Sequence, residues 1–150
     1  MNIDKETMRV LKTVTREQWN AILKVANRQL EGMEIQSGVL EMKVQDVVKK
    51  IGVPLNYHGY KYLQDAILLV YRDENNIHRV TVNIYPTIAE KYNVTSGSVE
   101  RCIRHAIQTA CSKGKPELLE KIFGSSYLSE GCKPTNAYAI ACLADYVITT

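Results

Sequence analysis

Residues 88–105 constrain the fold more than any other stretch of this chain. They run Ile88-Ala89-Glu90-Lys91-Tyr92-Asn93-Val94-Thr95-Ser96-Gly97-Ser98-Val99-Glu100-Arg101-Cys102-Ile103-Arg104-His105. Ala89 is small where two helix backbones must approach each other. Asn93, four residues on, tolerates the left-handed backbone of a tight turn better than most residues. Ile88, Tyr92 and Val94 supply apolar faces around that turn. Thr95 or Ser96 is placed to cap a following helix. Val99, Cys102, Ile103 and Ala106 then repeat at helical spacing and form its buried stripe. The pattern predicts a helix-turn-helix: two short helices at a steep crossing, the second shaped to enter a DNA groove.

Outside that stripe the second helix is polar: Ser96, Ser98, Glu100, Arg101, Arg104 and His105. Arg101 and Arg104 are three apart and share one exposed face. An arginine fork on a groove-facing helix pairs bidentately with guanine O6 and N7. Glu100 has two uses open to it, accepting from the cytosine N4 amine or orienting Arg101 or Arg104. His105 lies one turn beyond Arg101, where it either touches phosphate or merely flanks the interface. Phosphate contacts fall to Lys91, Thr95, Ser96, Ser98 and Lys113, with backbone amides at the helix start. Lys133, Thr135 and Asn136 are weaker candidates, for which a helix cap alone is the competing reading. On spacing alone the segment equally fits an αα-corner with a solvated charged face, since short motifs match by accident.

The run Val99-Glu100-Arg101-Cys102-Ile103-Arg104-His105-Ala106-Ile107 resembles the V-E-R-A-I-R-H-A-I run of the sporulation stage-zero response regulator A family, in its C-terminal DNA-binding effector domain. Ile51-Gly52-Val53-Pro54, Gly59-Tyr60-Lys61-Tyr62-Leu63, Tyr85-Pro86-Thr87-Ile88-Ala89 and Lys133-Pro134-Thr135-Asn136 are similar to further motifs of that family, in the same order. The resemblance covers about residues 40–150. It implies an all-helical domain that binds promoter DNA in endospore-forming bacteria. Full-length members also carry an N-terminal receiver domain with a phosphorylatable aspartate. These 150 residues leave no room for one: Asp4 and Asp46 are isolated and lack a receiver's paired acidic residues, Thr/Ser and Lys. Control by receiver phosphorylation is therefore not carried over.

The net charge of +3 is too small to indicate nucleic acid by itself. Its distribution says more. Residues 88–115 hold five basic residues (Lys91, Arg101, Arg104, Lys113, Lys115) against two acidic ones (Glu90, Glu100), so nearly the whole excess belongs to the motif region. No stretch approaches the roughly 20 apolar residues of a membrane helix, and the N-terminus lacks a signal-peptide core. Cys102, Cys111, Cys132 and Cys142 form no C-x-x-C pair. That usage favours reduced thiols in the cytoplasm over disulfides or zinc. His58 and His78 have no partners at ligand spacing, and no catalytic triad or Gly-rich phosphate loop occurs. No enzyme activity, cofactor or metal is expected.

Along the chain, Met8, Leu11 and Val14 suggest a short amphipathic turn. Thr15-Arg16-Glu17-Gln18 has the capping-box form. Trp19, Ile22, Leu23, Ala26 and Leu30 then share one helical face, in a helix expected to end near Glu31-Gly32. Gln36-Ser37-Gly38 reads as the join to a second part. There a helix is expected from Leu40 to Ile51, ended by Gly52 and Pro54, and another from Tyr60 to Arg72 with Tyr60, Leu63, Ile67, Val70 and Tyr71 buried. Val80, Val82 and Ile84 alternate like a strand. The family resemblance instead implies a helix through Pro86 into the motif, and that is the expectation taken. Gly114-Lys115-Pro116 ends the recognition helix. A short helix over 117–123, a loop over 125–132 and a last helix with the stripe Ile140, Leu143, Ala144 and Val147 complete the chain.

The expected fold is an all-α helical bundle containing a helix-turn-helix, with an amphipathic helical segment over 1–38 ahead of a DNA-binding effector domain over 39–150. The expected function is sequence-specific transcription regulation of the sporulation-initiation type. Expected partners are double-stranded promoter DNA, a second copy of the chain and RNA polymerase, with no membrane. The N-terminal segment serves self-association, partner binding or intramolecular cover. The rival reading is a protein-interaction module or anti-regulator that keeps the fold and binds a full-length relative.

Overall fold

The computed structural model describes residues 4–126, 131 and 133–150, and every regular element among them is helical. In order they are α1 (Lys5–Thr13), α2 (Arg16–Lys50), α3 (His58–Arg72), a 3-10 segment (Glu74–Arg79), a π segment (Val80–Ile84), α4 (Tyr85–Tyr92), α5 (Ser96–Lys113), α6 (Pro116–Phe123) and α7 (Asn136–Thr149). This is the all-α class expected. The chain divides into two units, Met1–Val39 and Leu40–Thr150. Cys132, the side chain of Leu11 and most of the loop expected over 125–132 lie outside the described residues; Ser125 and Ser126 are helical.

In the first unit the starts of both helices follow their side chains. The Thr7 N–H donates to the Asp4 carboxylate at 2.6 Å. Thr15 and Gln18 form the reciprocal capping box: the Gln18 N–H donates to Thr15 Oγ1 at 3.2 Å and the Thr15 N–H to Gln18 Oε1 at 2.9 Å. The expected helix end near Glu31-Gly32 is not there, and Gln36-Ser37-Gly38 is no break. α2 continues through both to Lys50. A glycine stops a helix when its backbone turns left-handed, and neither Gly32 nor Gly38 does so. Each costs about 1 kcal/mol relative to alanine, too little to interrupt a helix already nucleated on both sides.

The core of the second unit gathers Val44, Val47 and Val48 from the end of α2, Leu63, Ala66 and Ile67 from α3, Val99, Ile103 and Ala106 from α5, and Ile140, Leu143 and Ala144 from α7. α3 packs against both α5 and α7. Tyr60, Leu63, Ile67 and Val70 are buried as expected, but Tyr71 is 42% exposed. It follows Ile67 by four residues on the same side of the helix, but it lies in the last turn of α3, one residue before the helix ends at Arg72. At the α3–α5 crossing Gly59 has a specific duty. A Cβ there would fall within contact of the Cys102 carbonyl oxygen and 2.8 Å from Ala106 Cβ.

The ambiguous stretch before the motif is helical, not a strand. Val80 and Ile84 are buried while Val82 is exposed, so the apparent alternation is an i, i+4 pair with an outward residue between. The helix is irregular for a reason. Pro86 has no N–H and its ring crowds the carbonyl four residues back. The chain accommodates it with π spacing, in which the Tyr85 N–H reaches the Val80 carbonyl, and α4 starts with the proline in its first turn. Asn76 secures this segment. Its buried amide donates to the Leu69 carbonyl at 2.9 Å and its oxygen accepts from the Asn83 amide. Asn76→Ala is expected to cost about 1–2 kcal/mol, the range for a lost buried hydrogen bond. An unchanged urea midpoint would show that the segment is held by packing alone.

Candidate nucleic-acid interface

The turn between α4 and α5 is set by its backbone hydrogen bonds. Asn93 has φ 54° and ψ 50°, and is the one left-handed non-glycine among the described residues. The Val94 N–H reaches back to the Ala89 carbonyl at 2.9 Å and the Asn93 N–H to the Glu90 carbonyl at 3.3 Å. Together these are a Schellman closure made with asparagine where glycine is usual. Thr95, not Ser96, caps α5, its Oγ1 accepting from the Ser98 N–H at 3.1 Å. Ala89 is buried beside the turn.

α5 carries two faces. Val99, Ile103, Ala106, Ile107 and Ala110 are buried, and Cys102 is half-buried at the edge. Gly97, Arg101, Arg104, His105, Gln108 and Ser112 are all exposed. Their spacing of four, three, one, three and four is a continuous helical stripe. Arg101 forms no ion pair among the described residues. Arg104 Nη1 donates to Glu100 Oε1 at 2.8 Å within the same helix. Of the two uses open to Glu100, the free chain shows the second, orientation of Arg104.

The remaining candidates are distributed unevenly. Ser96 and Ser98 lie in the first turn of α5, beside the Arg101 end of the stripe. Lys113 is at the opposite end, about 18 Å along the axis from Arg101 at 1.5 Å per residue. Lys91 is engaged: its ammonium lies 3.1 and 3.0 Å from the two Asp65 carboxylate oxygens and 5.2 Å from the centre of the Tyr92 ring. The hydrogen bond to Asp65 raises its pKa, so the charge is retained but paired. His105 stacks on Tyr57, ring centres 4.9 Å apart and planes 17° from parallel. Thr135 caps α7, accepting from the Tyr138 N–H at 3.2 Å. Asn136 donates to the Glu100 carbonyl at 3.1 Å and to the Tyr85 hydroxyl at 3.0 Å. It thereby ties α7 and the start of α4 to the second turn of α5. Burial pushes the Tyr85 pKa up, which keeps the hydroxyl neutral in that contact.

Sequence reading missed Gln108 and Tyr57. Gln108 was open to discovery, since it follows Arg104 by four residues on the same face. Tyr57 was not, because it reaches His105 from the start of α3, nearly fifty residues away in sequence. Among the described residues no three His, Cys, Asp or Glu side chains are grouped as metal ligands, and no helix is long and apolar enough to cross a membrane. Residues 44–147, more than two thirds of the chain and all of α3 to α6, match the family described as sporulation initiation factor Spo0A, C terminal.

Proposed function

The chain belongs to the Spo0A C-terminal family, the DNA-binding effector domains of sporulation regulators, and from that membership we propose that it is a sequence-specific transcription regulator whose α5 reads promoter DNA. The observation that carries this reading is the polar stripe of α5. Arg101 and Arg104 face outward together, behind a helix start capped by Thr95. In the major groove an arginine fork reads guanine, and a glutamine placed like Gln108 reads adenine N6 and N7. Glu100 steadies Arg104 before DNA arrives. The free amides at the start of α5, with Ser96 and Ser98, suit a phosphate of the flanking strand. His105 borders the stripe, and Lys113 serves a phosphate at the far end of α5. Lys91 contributes only if it leaves Asp65, which places it behind the others.

The partners on this reading are double-stranded DNA, a second copy of the chain and, at a promoter, RNA polymerase. The site of action is the cytoplasm. On this reading the chain is not controlled by phosphorylation of a receiver of its own within these 150 residues. An electrophoretic shift with family-type promoter boxes tests it. The chain is expected to shift the box and to release it to specific competitor far sooner than to scrambled DNA. Equal competition by both, or no shift at all, would sink base readout and favour a protein-interaction module on the same fold.

A further inference from the structure

The first 22 residues of α2 carry a seam that their own unit leaves open. Trp19, Leu23, Ala26, Leu30 and Met33 alternate by four and three residues, the heptad spacing of a coiled coil, and Ser37 takes the next position. Trp19, Leu23, Leu30 and Met33 are 37%, 53%, 57% and 65% exposed. On the same spacing Leu40, Val44 and Val47 follow, and these are covered by the core of the second unit. The open seam therefore stops at Ser37.

We propose that this seam pairs with the same seam of a second copy, antiparallel and centred near Arg28. Size and charge set the direction. In a parallel pair each residue meets itself, so Trp19 would oppose Trp19 and Ala26 would oppose Ala26, a crowded layer and an empty one. The antiparallel pair sets Trp19 against Ser37, Leu23 against Met33 and Ala26 against Leu30, large against small at both uneven layers. The flanks agree. Asn27 and Gln29 each face their own symmetry mate, and Asn20 faces Glu34, so no like charges meet across the seam. Glu17, Lys24, Arg28 and Glu31 fall on the outer face of the helix. Closed two-fold pairing also buries the tryptophan without opening a route to filaments. This inference specifies the second-copy partner named above. It does not depend on α5 reading DNA, so the two can fail separately.

Sedimentation equilibrium of the full chain at micromolar concentration, without DNA, tests it. The wild type is expected to be a dimer and Leu30→Asp a monomer with unchanged helical melting of the second unit. Asn27→Lys separates the two directions. Antiparallel pairing brings the two new charges together and weakens the dimer several-fold at low salt, with recovery at high salt. In a parallel pair the same side chain faces Ile22, and the dimer would be unaffected. A monomeric wild type, or a Leu30→Asp variant that still dimerises, overturns the seam. An Asn27→Lys variant that dimerises like wild type at low salt overturns the antiparallel arrangement.

Discussion

Gly59→Ala is expected to destabilise the second unit strongly for a single added methyl. The new Cβ would meet the Cys102 carbonyl of α5 and stand 2.8 Å from Ala106 Cβ. One obstacle is backbone and the other is the root of a buried side chain, so neither can swing aside. The helices must separate, and separation opens the α3–α5 contact within the core. Overpacking of this kind costs about 1–3 kcal/mol, sometimes more, and the rigidity of both neighbours puts this site at the upper end. For a domain near this size that lowers the melting temperature by roughly 10 °C or more. Gly38→Ala is the control. Its Cβ would meet nothing within 4 Å, and alanine favours the helix by about 1 kcal/mol. Thermal melts of both, followed by circular dichroism, should move in opposite directions. Equal melting temperatures for Gly59→Ala and wild type would remove the close α3–α5 crossing from this account.

What sequence made legible here depended on how local each cause was. The left-handed Asn93, the Thr95 cap, the Thr15–Gln18 capping box and the core stripes of α3, α5 and α7 involve residues a few positions apart, and their spacing carried them. The errors have one origin, a local signal outweighed by something longer in range. Gly32 and the 36–38 stretch look like helix ends, yet α2 has enough helical neighbours on both sides to absorb them. Val80, Val82 and Ile84 alternate like a strand by local pattern alone; the helix that the family resemblance implies there is the one present, in 3-10 and π form ahead of Pro86. Tyr71 has the spacing of its stripe and is exposed all the same, in the last turn of α3. At the interface, Arg101, Arg104 and the Glu100–Arg104 option followed from helical spacing. The pairing of Lys91 with Asp65, the stacking of His105 on Tyr57 and the bracing by Asn136 did not, because each joins residues that only the fold brings together.

The second large effect concerns DNA. Arg101→Ala and Arg104→Ala should each cost about 1–3 kcal/mol of specific binding, or roughly 5- to 150-fold in affinity at 1.4 kcal/mol per tenfold. The two should differ in size. Arg101 is unpaired among the described residues and gives up only its hydration on binding. Arg104 starts from its bond to Glu100, an exposed i, i+4 pair worth about 0.3–0.5 kcal/mol. If that bond is traded for a base, the net loss on truncating Arg104 is smaller by about that amount. If Glu100 instead holds Arg104 in the bound geometry, Glu100→Gln should weaken binding too, and Glu100 acts as a positioning residue. Neither arginine belongs to the core, so both variants should melt as wild type does.

The central claim is that α5 reads bases, and a binding panel tests it most directly. Wild type, Arg101→Ala and Arg104→Ala are titrated at one salt concentration against a family-type box and every single base-pair change of it. Wild type is expected to discriminate at guanine positions and each variant to lose discrimination at one of them, a different one for each, while the remaining positions keep their ranking. Phosphate contacts carry no sequence information. Uniform weakening across the whole panel, with wild-type discrimination intact at every position, would therefore mean that Arg101 and Arg104 only touch the backbone and that α5 is not the reader.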